Sequence, residues 1–368
     1  MKQVRVAIIG QGRSGRCIHA AHFVMDQPDK FKIIAVVDSL KERRDFAIRE
    51  YSCEAYADYR ELFKRDDIDL VVNASFSHMH YPITLDLLKH GFNVLCEKPL
   101  VKKVKEVDNL MAAARKHKKV LAIFQQARFA PYFRQVQNVI NSGLLGRIVQ
   151  ISIRFNNFGR RWDWQTLKEY NGGNLLNTGP HPLDQALVLF GDGMPEVHCW
   201  MDKVLSFGNA EDHVKLILSG KGHPLIDIEI SSCCAYPTFT YLVYGSRGSL
   251  KGTTEQMEWK YFKPSEAPKR KLIKQPLSDE NGVPAYCGET LTWHTDTWPV
   301  SINKKENEKE AEYSSATAAQ SNMAEDFYNM LYGVLCEGKK LQVTPEQVRR
   351  QMAVVEECHK QNPHIYKQ

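Results

Sequence analysis

The sequence predicts an α/β protein in two domains. A parallel, alternating α/β domain spans residues 1–124, and an α+β domain with an open, largely antiparallel sheet spans 125–368. Two patterns carry that reading. In the first part, apolar runs of strand length alternate with helical stretches, as in βαβ units on a parallel sheet. In the second, single apolar and polar residues alternate, as on a sheet covered on one face only. The length of 368 residues agrees, being more than one core usually serves.

Val4 to Ile9 is a β-branched run that leads into Gly10-Gln11-Gly12-Arg13-Ser14-Gly15, and Arg16 to Asp26 then reads as a helix. Strand, glycine turn and helix start are the context that makes G-x-G-x-x-G a dinucleotide-binding motif. Gly10 allows the turn, Gly12 lets backbone approach a pyrophosphate, and Gly15 lets helix and strand pack closely. Gln11, Arg13 and Ser14 complete the loop, and the helix N-terminus offers N–H groups and a positive dipole end to phosphates. Phe31 to Val37 is a second apolar run, ending in Asp38, 23 residues after Gly15. An acid there binds a ribose 2′-hydroxyl and repels a 2′-phosphate. Arg43 and Arg44 soften that repulsion, so NAD is favoured and NADP stays possible. A helix N-cap is the plainer role for Asp38 and is compatible with the first.

The alternation continues. Residues 41–51 read as a helix, 53–58 as a short strand with a turn, 59–67 as a helix and 68–75 as a strand. A helix over 81–91, closed by Gly91, and a strand over 92–99 follow. Ligands of such sheets sit beyond the carboxyl ends of the strands. Ser75 to His80 lie at one such end, and Glu97-Lys98-Pro99 at another, where the reactive end of a cofactor belongs. The plainer alternative for Glu97 and Lys98 is a solvated surface pair.

Composition narrows the function classes. Hydrophobic content of 43%, charged content of 25% and a net charge of +6 spread along the chain suit a soluble protein with no nucleic-acid partner. Nine cysteines without C-x-x-C spacing read as a reduced, cytoplasmic chain with no metal site. No cleavable signal and no long apolar stretch is visible, so neither secretion nor a membrane partner is expected.

In the second half, Val149, Ile151, Ile153 and Phe155 alternate with Gln150, Ser152 and Arg154, and Ile226, Ile228 and Ile230 with Asp227 and Glu229. Their polar faces are either solvated or a subunit contact, which predicts a homodimer or homotetramer through this sheet. Residues 265–315 are charged and aperiodic and read as loops with short strands. Helices return over Ser321–Gly338 and after Thr344-Pro345-Glu346, a helix-start signal, and these can pack back on the first domain. Residues Gly172 to Gly191 form a second motif. Leu183, Leu187 and Phe190 have helical core spacing. Asn177 and His181, four apart, share a side if the stretch is helical; Gly179 and Pro180 between them leave that open, and a helix-cap role is the alternative for His181.

The glycine loop, Cys96-Glu97-Lys98-Pro99 and Gly172-Gly-Asn-Leu-Leu-Asn-Thr-Gly-Pro-His-Pro-Leu-Asp184 together resemble the Gfo/Idh/MocA family of nicotinamide-dependent oxidoreductases. The resemblance runs through most of the chain in order, leaving out residues 255–320. It implies a Rossmann domain, then an open sheet that often mediates oligomers, and sugar, inositol or other polyol substrates. It implies that Lys98 contacts the substrate hydroxyl and the nicotinamide ribose, with Glu97 beside it and a bond before Pro99 that is often cis. The family's histidine falls on His181 and its last acid on Asp184, and His80 matches a histidine near the cofactor. Asn177 departs, standing where the family usually has aspartate. An amide bonds a hydroxyl but holds no proton.

The expected activity is hydride transfer between NAD(P) and a carbinol or keto carbon, with Lys98 and His181 as catalytic residues. His181 is taken as the base because free imidazole titrates near neutrality, and Lys98 as the group that orients the oxygen. Substrate contacts are expected from Arg128, Arg161, Trp164 and Asn177, with Arg160, Trp162 and Tyr132 as further candidates. Two other activities fit the same resemblance: a glycosidase that retains NAD and uses transient oxidation, and a non-catalytic NAD-binding sensor.

Overall fold

Six strands run parallel in the first sheet: β1 (Val4–Ile9), β2 (Phe31–Val37), β3 (Glu54–Tyr56), β4 (Leu70–Asn73), β5 (Val94–Cys96) and β6 (Leu121–Ile123). The computed structural model describes residues 2–299 and 308–366. The strand order is β3-β2-β1-β4-β5-β6, so winding reverses between β1 and β4 and opens a crevice at the strands' carboxyl ends. The unbroken apolar runs follow from burial on both faces: Val6, Ala7, Ile8, Val71, Val72 and Leu95 have no exposed surface. α1 (Lys41–Tyr51), α2 (His80–Lys89) and α3 (Val104–His117) connect and cover these strands.

Two connections differ from the expected α-helices. The segment after the glycine loop is wound as π-helix over Gly15–Ala20 and again over His22–Asp26. Such wider turns re-aim side chains and are frequent at functional sites. Here they leave His19 and His22 both buried against the ring of Tyr328. Residues 59–67 hold only a 3₁₀ segment, Tyr59–Lys64, between extended Asp58 and Arg65, and so short a span suits the tighter winding.

α4 (Pro131–Asn141) leads to β7 (Ile148–Asn156), then α5 (Asn174–Asn177) and α6 (Pro180–Phe190). The second sheet adds β8 (Glu196–Asp202), β9 (His213–Ser219), β10 (Leu225–Ser231), β11 (Tyr241–Gly245), β12 (Gly248–Gly252) and β13 (Gln256–Tyr261). After a small hairpin of β14 (Leu277–Ser278) and β15 (Pro284–Ala285), β16 (His294–Pro299) completes it. The order is β16-β13-β12-β11-β7-β10-β9-β8. All pairings are antiparallel except β7 with β10. The short strands expected within 265–315 are therefore present; residues 300–307 of that stretch lie outside the described residues.

Ile151, Ile153, Leu216, Ile226 and Ile228 are buried on the face that α5 and α6 cover. The other face carries a charged ladder. Arg154 bonds both oxygens of Asp227 (3.1 and 2.7 Å), and Lys215 reaches Asp227 (2.6 Å) and Glu229 (3.2 Å). Val149, expected on the apolar face, is 44% exposed because it precedes the covered part of β7.

Two helices close the chain. α7 (Glu308–Glu337) begins well before Ser321, where periodicity placed it, and α8 (Pro345–Gln361) begins at its predicted signal, with Thr344 and Gln347 as a capping box. Both return to the first sheet. Tyr332 of α7 donates to the Lys2 carbonyl (2.9 Å), Arg349 of α8 pairs with Asp108 (2.6 Å), and Gln351 accepts from Gln125 (3.1 Å). Among the described residues no helix is long and apolar enough to cross a membrane.

The face assignment is testable by urea denaturation. Ile228→Ala removes a fully buried side chain and should cost about 2–5 kcal/mol, whereas Val149→Ala should change stability by less than about 0.5 kcal/mol. Equal losses would place both residues in the core.

Candidate active site

The glycine loop is tight where it turns and open where a phosphate would lie. Gly10 has φ +89°, and a Cβ there would come 2.4 Å from the Ala74 carbonyl oxygen; at Gly15 it would come 1.7 Å from that of Gly10. Neither position admits a side chain. Gly12 has only Arg43 Nη1 within reach, at 3.9 Å, so its backbone is open on that side. Asp38 accepts from the N–H groups of Gln11 (2.7 Å) and Leu40 (3.0 Å) and lies 3.4 Å from Arg43 Nη1. Leu40 is the cap of α1, so Asp38 instead fixes the glycine loop to the end of β2. Arg44 donates to the carbonyls of Asp38 (2.8 Å) and Ser39 (2.9 Å). The end of β2 thus presents an acid and a guanidinium together beside the glycine loop. Ser14 precedes the π-helix and makes no side-chain cap bond.

The loops after β4 and β5 are joined beneath the crevice. Ser75 donates to the Asn73 side chain (2.7 Å). His80 is buried, with Nδ1 2.7 Å from the Pro99 carbonyl and Nε2 3.1 Å from that of Ser75. Burial pushes its pKa down, and the neutral ring donates to one carbonyl only. His80 therefore braces the turn and lies under the site, not in it. The Lys98–Pro99 bond is cis.

Glu97 is also beneath the crevice, 5% exposed. Its Oε1 lies 3.2 Å from His19 Nε2, and its Oε2 accepts the Lys98 N–H (3.0 Å). Burial raises its pKa, but the bond from His19 and, at the acid pH where Glu97 titrates, the charges of protonated His19, Lys98 and His80 outweigh burial and hold it at about 2. Glu97 is thus a carboxylate at neutral pH, and its neighbour Lys98 is not a free surface cation.

Lys98 Nζ points across the crevice and donates to the Asn177 carbonyl (2.9 Å). Burial pushes its pKa down; Glu97 opposes that, and Arg13 and Arg161 add to it. His181 lies beside it. Its Nδ1 is buried without a partner, and burial, then the charge of Lys98, bring its pKa down to about 3. Near-neutral titration was the sequence argument for His181 as the base; in this setting the ring is neutral at pH 7 and weakly basic. Asn177 and His181 do not share one helix, because the chain breaks between α5 and α6, where a Cβ on Gly179 would come 2.2 Å from the Leu175 carbonyl oxygen. The Asn177 side chain accepts from Gln165 (3.1 Å), and its backbone carbonyl serves Lys98.

Arg161 pairs with Asp163 (2.9 Å) at the mouth. Trp164 stands edge-on to Phe76, ring centroids 5.0 Å apart, with Tyr170 behind both. Arg128 is placed elsewhere: Asp184 holds it in a two-pronged ion pair (Nε to Oδ2 2.8 Å), and Nη1 reaches Gln347 (2.7 Å) and the Gln342 carbonyl (3.2 Å). It clamps α6 to the start of α8 and has little left for a substrate. Tyr132 is a core residue, and Trp162 is exposed. Sequence reasoning missed His19, Phe76, Gln165 and Tyr328. Phe76 had a signal, an aromatic within the Ser75–His80 stretch at a strand's carboxyl end; a buried histidine and a tyrosine 309 positions away had none.

Four stability effects follow. Arg128→Ala leaves the buried Asp184 carboxylate unpaired and should cost about 3–5 kcal/mol, whereas Arg161→Ala breaks a solvated pair and should cost less than about 1 kcal/mol. Glu211 is buried beside Tyr366 and the Leu175 N–H (2.9 Å), and burial raises its pKa from 4.5 to about 7. The folded protein then holds a proton that the unfolded chain loses, so this group's stabilisation falls as pH rises from about 4.5 to 7. Glu97, held at about 2, acts oppositely: its contribution is present above pH 4.5 and is lost on acidification towards 2. Urea midpoints across pH should lose the first slope in Glu211→Gln and keep the second.

Comparison with known proteins places the fold in a family. Residues 4–125 match the model of an oxidoreductase family with an NAD-binding Rossmann fold, and residues 133–251 match the GFO/IDH/MocA C-terminal domain. A 2,7-anhydro-N-acetylneuraminate hydratase of Mediterraneibacter gnavus is 25% identical over 259 residues, 68% of this chain and 67% of that protein. A D-glucoside 3-dehydrogenase of Escherichia coli is 31% identical over 195 residues, 51% of this chain and 54% of the relative. The WlbA dehydrogenase from Bordetella pertussis, solved with NADH and UDP-GlcNAcA, shares the fold at a TM-score of 0.74 and 16% identity, over 99% of this chain and 96% of that one. The chain belongs to the Gfo/Idh/MocA family of NAD-binding oxidoreductases.

Proposed function

We propose that the protein transfers a hydride between NAD, or NADP, and a carbinol or keto carbon of a sugar, inositol or other polyol. The carrying observation is the meeting of the Lys98 amine, with its depressed pKa, and the unpartnered His181 imidazole at the carboxyl end of the parallel sheet. The glycosidic relative named above supports a sugar-like substrate.

The bound nicotinamide supplies the hydride chemistry, and the protein supplies position and proton handling. Gly10, Gly12 and Gly15 shape the loop for the pyrophosphate, while Gln11, Arg13 and Ser14 line it. Asp38 and Arg43 share the ribose end. Oxidation must also remove the hydroxyl proton. Lys98 takes that proton, because burial and the cations Arg13 and Arg161 favour its neutral form. His181 is neutral and holds the same oxygen without adding charge. The Asn177 amide, bonded to Gln165, stores no proton but fixes the carbonyl that orients Lys98. Trp164 and Phe76 give an apolar wall for the C–H side of a ring, and Arg161 binds a polar substituent at the mouth. A second copy of the chain docks on the charged ladder of the second sheet, and a monomeric mass by light scattering would refute that.

A redox-neutral variant, in which the substrate is oxidised, eliminates, adds water or an alcohol and is reduced again, is favoured by one observation: the relative matched over 68% of the chain is a hydratase. One assay separates the readings. Purified protein is given NAD and separately NADP with a panel of sugars, inositols, polyols and nitrophenyl glycosides. Net NADH that falls at least about 10²-fold in Lys98→Ala supports the dehydrogenase. Product without net NADH supports the redox-neutral reaction. Tight NAD binding with no product under either cofactor would contradict both and point to a sensor. Arg43→Ala should weaken NADP binding more than NAD binding; equal losses would remove Arg43 from the ribose site.

A further inference from the structure

Three distant segments meet behind Lys98. His19 comes from the π-wound turn after the glycine loop, Glu97 from the end of β5 and Tyr328 from α7. His19 has no exposed surface, and its ring lies on Phe124 with centroids 4.7 Å apart. Its Nδ1 meets the Tyr328 hydroxyl, and its Nε2 lies 3.2 Å from Glu97 Oε1. A carboxylate only accepts, so Nε2 must donate; in the neutral ring Nδ1 then accepts, and the Tyr328 hydroxyl donates to it. The chain of donors runs one way, from Tyr328 through His19 to Glu97, whose other oxygen accepts the Lys98 N–H at 3.0 Å.

We propose that His19 is a positioning residue: from the nucleotide-binding helix it keeps the Glu97 carboxylate charged, and through that charge it sets the protonation of Lys98. The groups facing Glu97 are His19, His80 and Lys98. Those facing Lys98 are Glu97, Arg13, Arg161 and His181. Of the charges that act on the Lys98 amine, Glu97 alone favours the ammonium form; Arg13 and Arg161 oppose it, as burial does. A buried carboxylate that loses one of its donors has its pKa raised and is neutralised more easily. The balance at Lys98 then tilts towards burial and the two cations, and it gives up its own proton more readily. Tyr328 matters because it fixes the tautomer in which Nε2 carries the hydrogen. A space-filling histidine would need neither matched nitrogen.

The inference rests on Lys98 being the proton-handling group, but its test uses no substrate. In the full-length protein, lysines are reductively methylated with ¹³C, and the Lys98 resonance is identified by its loss in Lys98→Arg and titrated. His19→Leu should lower the Lys98 midpoint by about one pH unit or more, roughly tenfold in proton affinity. His19→Gln should keep the wild-type midpoint, since its amide can donate to Glu97 and accept from Tyr328. Glu97→Gln should reproduce the fall, with no further fall when His19→Leu is added. An unchanged midpoint in His19→Leu, or equal shifts in the Leu and Gln variants, overturns the proposal. Should His19→Leu not fold, an unchanged Lys98 midpoint in Glu97→Gln overturns it alone. A silent substrate panel alongside the predicted titration would refute the dehydrogenase and leave the relay standing.

Discussion

A carboxylate taken out of water costs several kcal/mol unless donors and cations surround it, and Glu97 is such a group at the centre of the molecule. Its partners come from separate parts of the chain. His19 reaches it from the segment that follows the glycine loop, the Lys98 N–H from its own turn, and His80 acts on it from the start of α2. Tyr328 then requires α7 to lie across the first sheet, where its ring meets His19, His22, Phe23 and Phe31. The return of the C-terminal helix and the placement of the Lys98 amine are thus parts of one arrangement.

Lys98 gains its chemistry from the same arrangement seen from the other side. It faces a crevice bounded by the glycine loop, the aromatic pair Phe76 and Trp164, and the break between α5 and α6. At that break the chain passes so close to the Leu175 carbonyl that position 179 admits only glycine. It turns a backbone carbonyl, that of Asn177, toward the amine. The side chain of Asn177 is an amide tied to Gln165. An amide stores no proton, which is why the proposed proton handling rests on Lys98, and the second sheet enters by holding α5 and α6 in place.

The parallel sheet was legible because its strands are buried on both faces and read as unbroken apolar runs, and the second sheet because Ile226, Ile228 and Ile230 alternate with charges. The glycine loop and Asp38 were legible because only certain residues satisfy their backbone geometry. Arg128 was misread for a physical reason: an arginine near a motif looks alike whether it awaits a ligand or holds a buried aspartate, and only the distance to Asp184 decides. The argument for His181 as the base met a similar limit. The ordinary pKa of imidazole suggested His181, but burial beside a cation reverses the argument, and burial is a property of the fold. His19 and Tyr328 were invisible because 309 positions separate them and neither lies in a motif. The π winding that aims His19 has no periodicity of its own to read.

The most direct test of the central claim, that Lys98 faces the nicotinamide with a readily lost proton, is calorimetry of cofactor binding in buffers of different ionisation enthalpy. A positive ring brought to Lys98 should expel its proton. NAD⁺ binding should therefore release protons, NADH binding should release markedly fewer, and the difference should vanish in Lys98→Ala. Equal proton release by the two forms, or a difference that persists in Lys98→Ala, would contradict the placement of Lys98 at the reacting end of the cofactor.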